Sequence, residues 1–272
     1  MDVYISADVE GVAGIAGWNQ ILPGAEDYAV GRALMAGEVN AAIEGALAGG
    51  AERVVVNDAH ARMTNLLPEE VDSRARLVLG HHKPMYMVQG LDATFDAALF
   101  VGYHGAIGEP EAILSHTYSP RVVWEAKVDG RTVGEIGINA LVCEYFGVPI
   151  RLVTGDQVTA REARESIPGV HVAEVKRSFG RYSAENFSPA HSRALIRSEA
   201  QECLRALPQI EPTRRPVTME LTFLVADMAA IAEWIRGVER TGPRTIEFQA
   251  PDGLEAYRAF YTILMLTKGI AE

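Results

Sequence analysis

Four runs of mostly apolar, β-branched residues, each ending in polar side chains, constrain the fold of this chain more than any other feature. The runs are VYISADVE, RVVVNDAH, ALFVGYHG and IRLVTGDQ. Runs without a regular polar alternation are typical of strands that are buried on both faces of a parallel sheet. The sequence therefore predicts an α/β fold with a predominantly parallel sheet flanked by helices.

The segments between these runs carry helix and hairpin patterns. In residues 26–49, apolar residues recur at helical spacing up to a glycine pair, which predicts a helix between the first two strands. Residues 122–133 alternate around Asp129 and Gly130 and predict a hairpin. The stretch GEIGINALVCEYFG predicts a helix that ends at Gly147.

The last third of the chain predicts a second, smaller portion. Residues 176–190 are polar and rich in serine, so we expect a surface connection that leads into a helix over 191–207. From residue 216 onward the pattern indicates two strand-plus-helix units. We therefore expect one α/β domain over residues 1–175 and a C-terminal α/β portion over 176–272 packed on it.

Composition narrows the classes of function. The 272 residues include 25 Lys and Arg against 36 Asp and Glu, a net charge of −11, and the basic residues are scattered, which argues against a nucleic-acid partner. No segment has the roughly 18 uninterrupted apolar residues of a membrane span, and no signal-peptide pattern opens the chain, so we expect a cytoplasmic protein without a membrane partner. Cys143 and Cys203 lie in helical patterns, which makes a thiolate zinc site improbable.

Polar residues of the kind that bind metals follow three of the predicted strands. Asp8 and Glu10 follow the first, His60 the second and His104 the third. Open parallel sheets place ligand sites beyond the carboxyl ends of their strands, so these side chains are expected at one edge. Asp8 and Glu10 are two residues apart and share a face of an extended chain; two like charges there require a nearby cation.

Each of these residues also has an ordinary interpretation. Asp8 could cap a turn, His60 could be a loop histidine, and His116 could be a core histidine bonded to a backbone carbonyl. Glu135 could favour a helix N-terminus through the helix dipole. His104 is harder to explain in this way, because an imidazole after so apolar a run needs a partner for each ring nitrogen.

Taken together, the carboxylates and imidazoles predict a two-metal hydrolase. The set suits zinc, manganese or cobalt, and five ligands are more than one catalytic zinc usually takes, so a carboxylate shared between two metals is a natural use of Asp8. Asp58, two residues before His60, is our candidate for a residue that orients a ligand. We expect no role in the metal site for the four remaining histidines, which are His81, His82, His171 and His191.

Several motifs in order along nearly the whole chain resemble those of the D-aminopeptidase family of zinc metallopeptidases, the DppA type. They are YISADVEGVAG, VVVNDAHARMTNL, GLDATFDAALFVGYHG, ILSHTYS, VGEIGINA, VTGDQ and FQAPDGLEAYRA. The resemblance implies two zinc ions per chain and a catalytic histidine at His116. It places the zinc ligands, with Asp8 shared, at Asp8, Glu10, His60, His104 and Glu135.

The resemblance also implies what the protein does. It implies an aminopeptidase that hydrolyses short peptides from a free N-terminus, with a small D-amino acid such as D-Ala there, and a dinuclear zinc site that activates water. It further implies a ring-shaped homo-oligomer, with a decamer as the expected size. The loops GWNQILPGAED and GAIGEPEAIL differ from the family pattern.

Two other functions compete with this expectation. A metal-dependent phosphoesterase would use a similar ligand set but needs Arg or Lys close by for phosphate, and near the motifs the sequence offers Arg62 and Arg121. A non-catalytic, metal-stabilised oligomeric binding protein would have a coordinatively closed site.

Overall fold

The computed structural model describes residues 1–271; residue 272, the last of the predicted C-terminal portion, lies outside the described residues. The strands in chain order are β1 (Asp2–Ala7), β2 (Arg53–Asp58), β3 (Ala75–Val78), β4 (Ala97–Val101), β5 (Val123–Val128), β6 (Arg131–Thr132), β7 (Ile150–Asp156), β8 (His171–Gly180), β9 (Ser183–Asn186), β10 (Val217–Phe223), β11 (Val238–Arg240) and β12 (Thr245–Ala250). The helices are α1 (Tyr28–Ala48), α2 (Glu135–Phe146), α3 (Gln157–Ser166), α4 (Pro189–Glu202), α5 (Ala226–Ala232) and α6 (Gly253–Lys268).

The strands form two sheets. The first has the order β3-β2-β1-β4-β7-β8-β9 and is parallel except for the β8–β9 pair. The second is antiparallel, with the order β11-β12-β10-β5-β6. The α/β fold with a mainly parallel sheet and flanking helices is confirmed. The division into 1–175 and 176–272 stays a prediction: β8 spans that position, and the predicted hairpin at 122–133 pairs with C-terminal strands.

Side-chain alternation along β1 explains why the first sheet has a core on each face. Tyr4 packs into one apolar cluster, with residues of α2, α6 and the second sheet. Val3 and Ile5 pack into the other, with residues of α1 and α4. Because successive side chains of a strand point to opposite faces, a continuous apolar run fits a strand covered on both sides.

Local sequence signals mark where several helices begin and end. Helix α2 stops at Gly147, whose φ of 72° is in the left-handed region that glycine tolerates. The Asp156 side chain accepts hydrogen bonds from two backbone N–H groups at the start of α3, and the Asp252 side chain accepts one, from Glu255 N, at the start of α6. In the described part of the chain, no helix is both long and apolar enough to span a membrane.

One expected connection has a different structure. Residues 176–190 were expected to cross the surface without regular structure, but most of this segment lies in β8 and β9. The reason is that β8 alternates buried Val175 with polar positions and pairs with the central β7. The polar side chains of β9 face solvent at the sheet edge, which is why composition alone suggested a loop.

Strand order brings the predicted ligands together. The chain continues from β1 to β2 on one side and later to β4 on the other, so β1 lies between them. Ala7 pairs with Asp58 of β2 and with Val101 of β4, and the loops after all three strands meet at this edge. The start of α2 brings Glu135 to the same place. This reversal of the strand order is where open α/β sheets bind ligands.

Candidate metal centre

The predicted carboxylates and imidazoles meet in one buried cluster. Asp8, Glu10 and Glu135 are exposed by 3% or less, and His104 by 1%. The His60 Nδ1 atom lies 3.3 Å from Asp8 Oδ1 and 3.1 Å from Glu10 Oε2. The structure therefore brings the residues after β1 and β2 to within ligand distance of each other.

The second half of the cluster is built by the loop after β4 and by the start of α2. The His104 Nε2 atom lies 3.6 Å from Asp8 Oδ2 and 3.5 Å from Glu135 Oε2. The two oxygens of Asp8 thus face different imidazoles, Oδ1 towards His60 and Oδ2 towards His104. A carboxylate with this arrangement can be shared by two cations.

His116 completes the cluster. Its Nε2 atom lies 3.6 Å from Glu135 Oε1 and 3.8 Å from Glu10 Oε1, and its ring stacks on that of His104 with centroids 4.2 Å apart. Three groups of side chains have ligand atoms within 4.8 Å of one another. They are Asp8 with Glu10 and His60, Asp8 with His104 and Glu135, and Glu10 with His104 and His116.

Each of these imidazoles has one ring nitrogen against a backbone carbonyl. His60 Nε2 lies 3.0 Å from Ile21 O, His104 Nδ1 lies 3.0 Å from Gly105 O, and His116 Nδ1 lies 2.9 Å from Leu114 O. A carbonyl oxygen can only accept, so these nitrogens carry the hydrogen and donate. The other nitrogen of each neutral ring then turns a lone pair towards the carboxylates, the arrangement in which proteins hold metal-binding histidines.

The charges of the cluster require a cation. Burial and the neighbouring Glu10 raise the pKa of Asp8 to about 8. Burial lowers the pKa of His104, but Glu135 more than offsets this effect, and the pKa rises to about 10. Without another positive charge, the three buried carboxylates thus draw protons onto Asp8, His60 and His104, the members of the cluster whose pKa is raised.

The residues fit a divalent metal. Asp8 Oδ2, both carboxylate oxygens of Glu10 and His104 Nε2 are buried without a hydrogen-bond partner in the described residues. Buried polar atoms without partners are costly, and metal coordination would satisfy all four. Carboxylate oxygens and imidazole nitrogens without thiolates suit zinc, manganese or cobalt.

The cluster forms the floor of a pocket of about 680 Å³. Asp8, Glu10, His60, His116 and Glu135 all line it, and its other lining residues include aromatic and basic side chains. A pocket of this volume accommodates a small molecule or a short peptide. Trp18 forms part of the wall, with its ring edge-on to that of His116 at 5.7 Å between centroids.

Asp58 contacts the backbone of the His60 loop. Among the described residues, it forms no hydrogen bond with the His60 imidazole. Its Oδ2 accepts hydrogen bonds from the N–H groups of Asn65 at 2.6 Å and Leu66 at 2.9 Å. The Asn65 amide also donates to His60 O at 2.8 Å. Asp58 therefore holds the loop in place, and the ring is oriented by the Ile21 carbonyl. The sequence contains no signal for that backbone contact.

Lys176 was missed by sequence reasoning. This buried lysine of β8 donates from Nζ to Glu10 O at 2.7 Å and to Ile15 O at 2.8 Å, so it ties down the loop that carries two cluster carboxylates. From the other side, the Glu38 carboxylate of α1 accepts a hydrogen bond from Ala13 N at 3.0 Å. A lysine inside the apolar stretch HVAEVK was the available signal.

Comparisons with known proteins agree in family and fold. A family model described as D-aminopeptidase, Peptidase_M55, matches residues 1–262. A D-aminopeptidase of Bacillus subtilis (strain 168) is 37% identical over 272 residues, which cover 98% of this chain and 97% of that protein. The solved structure of the Zn-dependent D-aminopeptidase DppA from Bacillus subtilis, described as a self-compartmentalizing protease, superposes with a TM-score of 0.93 at 36% identity, covering 98% of both chains.

Proposed function

Because this chain belongs to the D-aminopeptidase family of peptidases, we propose that it hydrolyses short peptides from their free N-terminus with zinc held in the buried cluster. It is an aminopeptidase, a hydrolase of peptide bonds. The observation that carries the proposal is the set of imidazoles that each donate one N–H to a backbone carbonyl and turn the other nitrogen towards buried carboxylates on the pocket floor.

We assign two zinc ions per chain to five ligands, which are Asp8, Glu10, His60, His104 and Glu135. The two oxygens of Asp8 face different partners, which supports a shared carboxylate. His60 and Glu10 would complete one position, and His104 and Glu135 the other. Bound zinc supplies Lewis acidity, which polarises a peptide carbonyl and lowers the pKa of water to near 7.

His116 is proposed to move a proton. Its Nδ1 donates to the Leu114 carbonyl, so the ring is held in one tautomer with the Nε2 lone pair directed at the cluster and the pocket. In that orientation Nε2 can accept a proton and return it to the leaving amine, or donate a hydrogen bond to a developing oxyanion. Its Nε2 distances to the carboxylates, 3.6 and 3.8 Å, are close to those of His104, 3.5 and 3.6 Å, so the choice of a catalytic role over a ligand role rests on the family resemblance.

The substrate's amino terminus fits the acidic floor. An aminopeptidase cleaves the first peptide bond, so a peptide whose scissile carbonyl lies at the zinc site has its amino terminus at the floor, and an N-terminal extension would have to enter a floor that is already filled by protein. The family description, D-aminopeptidase, supports a D-residue at that end; a small D-residue such as D-Ala is what the resemblance of the sequence motifs implies. Chirality would be read by a wall that one hand of Cβ contacts and the other does not; Trp18 and Tyr86 line the pocket and can serve as such walls.

Assembly into a ring-shaped homo-oligomer, with a decamer as the expected size, and a cytoplasmic location are further parts of the proposal. A similar solved protein is described as self-compartmentalizing. Exposed apolar side chains available for contacts between copies include Trp234, which is 85% exposed, and Phe179 and Tyr182, both more than half exposed.

One preparation tests the function. Elemental analysis should find close to two zinc ions per chain, and a chelator should abolish hydrolysis that added zinc restores. D-alanylglycine and L-alanylglycine, assayed side by side, should show faster hydrolysis of the D-peptide. Chelator-resistant hydrolysis by metal-free protein would refute the zinc proposal, whereas faster hydrolysis of the L-peptide would refute only the D-preference. Hydrolysis of a phosphate ester in place of either peptide would favour the phosphoesterase.

A further inference from the structure

Four basic side chains line the same pocket as the acidic cluster. They are Arg62, Arg121, Arg181 and Lys268. Among the described residues, none of them forms an ion pair with an Asp or Glu side chain. Seven of the 13 exposed arginines outside the pocket do form such pairs, for example Arg161 with Glu109, Arg197 with Glu44 and Arg258 with Glu255. In a chain of net charge −11, unpaired positive charges around one pocket indicate that the pocket receives a negatively charged group.

Lys268 is the most informative of the four because it is partly buried, whereas the three arginines are exposed. It ends α6, and its Nζ lies 5.7 Å from the centre of the Tyr86 ring. Burial lowers its pKa, so its charge is costly where it stands. An aromatic face compensates an ammonium group only in part, which leaves the capacity for a stronger, anionic partner.

Lys268 and the cluster carboxylates line the same pocket. The Tyr86 ring contacts both Lys268, at 5.7 Å from Nζ to the ring centre, and Tyr118, at 5.6 Å between the two tyrosine centroids. The backbone N–H of Tyr118 donates to Glu135 Oε1 at 2.6 Å, so Tyr118 directly adjoins the floor. A peptide that reaches both the floor and Lys268 must therefore fit within a pocket of about 680 Å³, which a short peptide does.

We propose that Lys268 binds the C-terminal carboxylate of the peptide, and that the enzyme therefore prefers short peptides with a free C-terminus. This inference rests on the proposed aminopeptidase function, which places the first peptide bond, and with it the amino terminus, at the floor. The C-terminal carboxylate of a short peptide then lies further along the same pocket, where the basic side chains are. Longer peptides and C-terminal amides would leave the ammonium group of Lys268 without its partner.

The test compares D-alanylglycine with D-alanylglycinamide, which differ only in the charge of the C-terminus. The protein should hydrolyse the acid with a kcat/KM about 10- to 100-fold higher, the range of a charge-assisted hydrogen bond. In Lys268→Met this preference should disappear through a higher KM for the acid, with the amide unaffected. Lys268→Arg should restore part of the preference. Arg236→Met removes an exposed positive charge outside the pocket lining and should leave the preference intact.

The outcomes separate the inference from the function on which it rests. Equal rates for acid and amide in the parent protein overturn the carboxylate site and leave the aminopeptidase in place. An equal loss for both substrates in Lys268→Met, at unchanged zinc content and thermal midpoint, overturns it as well, because a binding site for the carboxylate cannot act on the amide. Absence of hydrolysis of both peptides by zinc-loaded parent protein overturns the proposed function itself.

Discussion

Replacing Gly11 with alanine tests whether backbone contact between two loops sets the geometry of the metal centre. Gly11 follows Glu10, and its N–H donates to Gly102 O at 2.8 Å. A Cβ atom on Gly11 would lie 1.8 Å from the carbonyl oxygen of Tyr103, where real Cβ atoms essentially never come closer than 3.0 Å. The two loops would have to separate by more than about 1 Å, because the obstacle is backbone and cannot rotate away.

That separation acts directly on the ligands. Glu10 precedes Gly11, and His104 follows Tyr103, so the movement pulls apart the two sides of the cluster. His104 Nε2 and Asp8 Oδ2, now 3.6 Å apart, could no longer both reach one ion. We expect Gly11→Ala to lose about 1–3 kcal/mol of stability as an overpacked site and at least about 100-fold in kcat/KM, the effect of a 1 Å misplacement in an active site.

The measurements are zinc content after equilibrium dialysis, thermal midpoint and hydrolysis of D-alanylglycine. Gly242→Ala is the matched control, because its Cβ would meet its nearest neighbour, Thr245, at an ordinary contact distance of 3.4 Å. The control should retain its zinc and its activity. If Gly11→Ala binds zinc and turns over within twofold of the parent protein, the close loop contact does not determine the site and the reasoning fails.

Two further substitutions distinguish metal ligands from the residue that transfers a proton, and a third tests the pH dependence of stability. His104→Ala should abolish turnover and lower zinc content, while His116→Ala should abolish turnover with most zinc retained; near-normal rates in His116→Ala would exclude its catalytic role. Burial raises the pKa of Glu162 to about 7 from an ordinary 4.5, so the folded chain binds this proton more tightly than the unfolded chain. The proton therefore stabilises the fold at low pH, and this contribution to the unfolding free energy is lost as the pH rises through about 7. Relative to the parent protein, Glu162→Gln should therefore gain up to about 3 kcal/mol of unfolding free energy between about pH 5 and 8 in denaturant titrations; a pH-independent difference would contradict this.

The sequence was sufficient to predict the elements that bring the cluster together. Asp8, His60 and His104 each follow an apolar run, and a parallel sheet gathers the ends of such runs at one edge. Strand pairing is a property of the backbone, so it could be inferred without side-chain detail. The resemblance added Glu135 and His116, which lie outside the strand ends and whose own sequence context allowed ordinary explanations.

The contacts that fix the cluster could not be predicted in the same way. The carbonyl of Ile21 orients His60 across 39 residues, and any residue type supplies a carbonyl. Lys176 of β8 donates to the carbonyl of Glu10, 166 residues away in the sequence, in the loop that follows β1. Strands β3 and β9 are four residues long and lack a fully buried side chain, and they become strands because neighbouring strands offer them an edge.

The distribution of charge in the pocket links the metal centre to substrate length. A zinc site alone would polarise any peptide carbonyl. The basic residues around the same pocket add a second condition, because one substrate satisfies both the floor and Lys268 only if its scissile carbonyl and its C-terminal carboxylate fit within one pocket of about 680 Å³. Selection for short peptides can therefore arise within a single chain, and assembly into a larger particle would restrict access in addition to this selection.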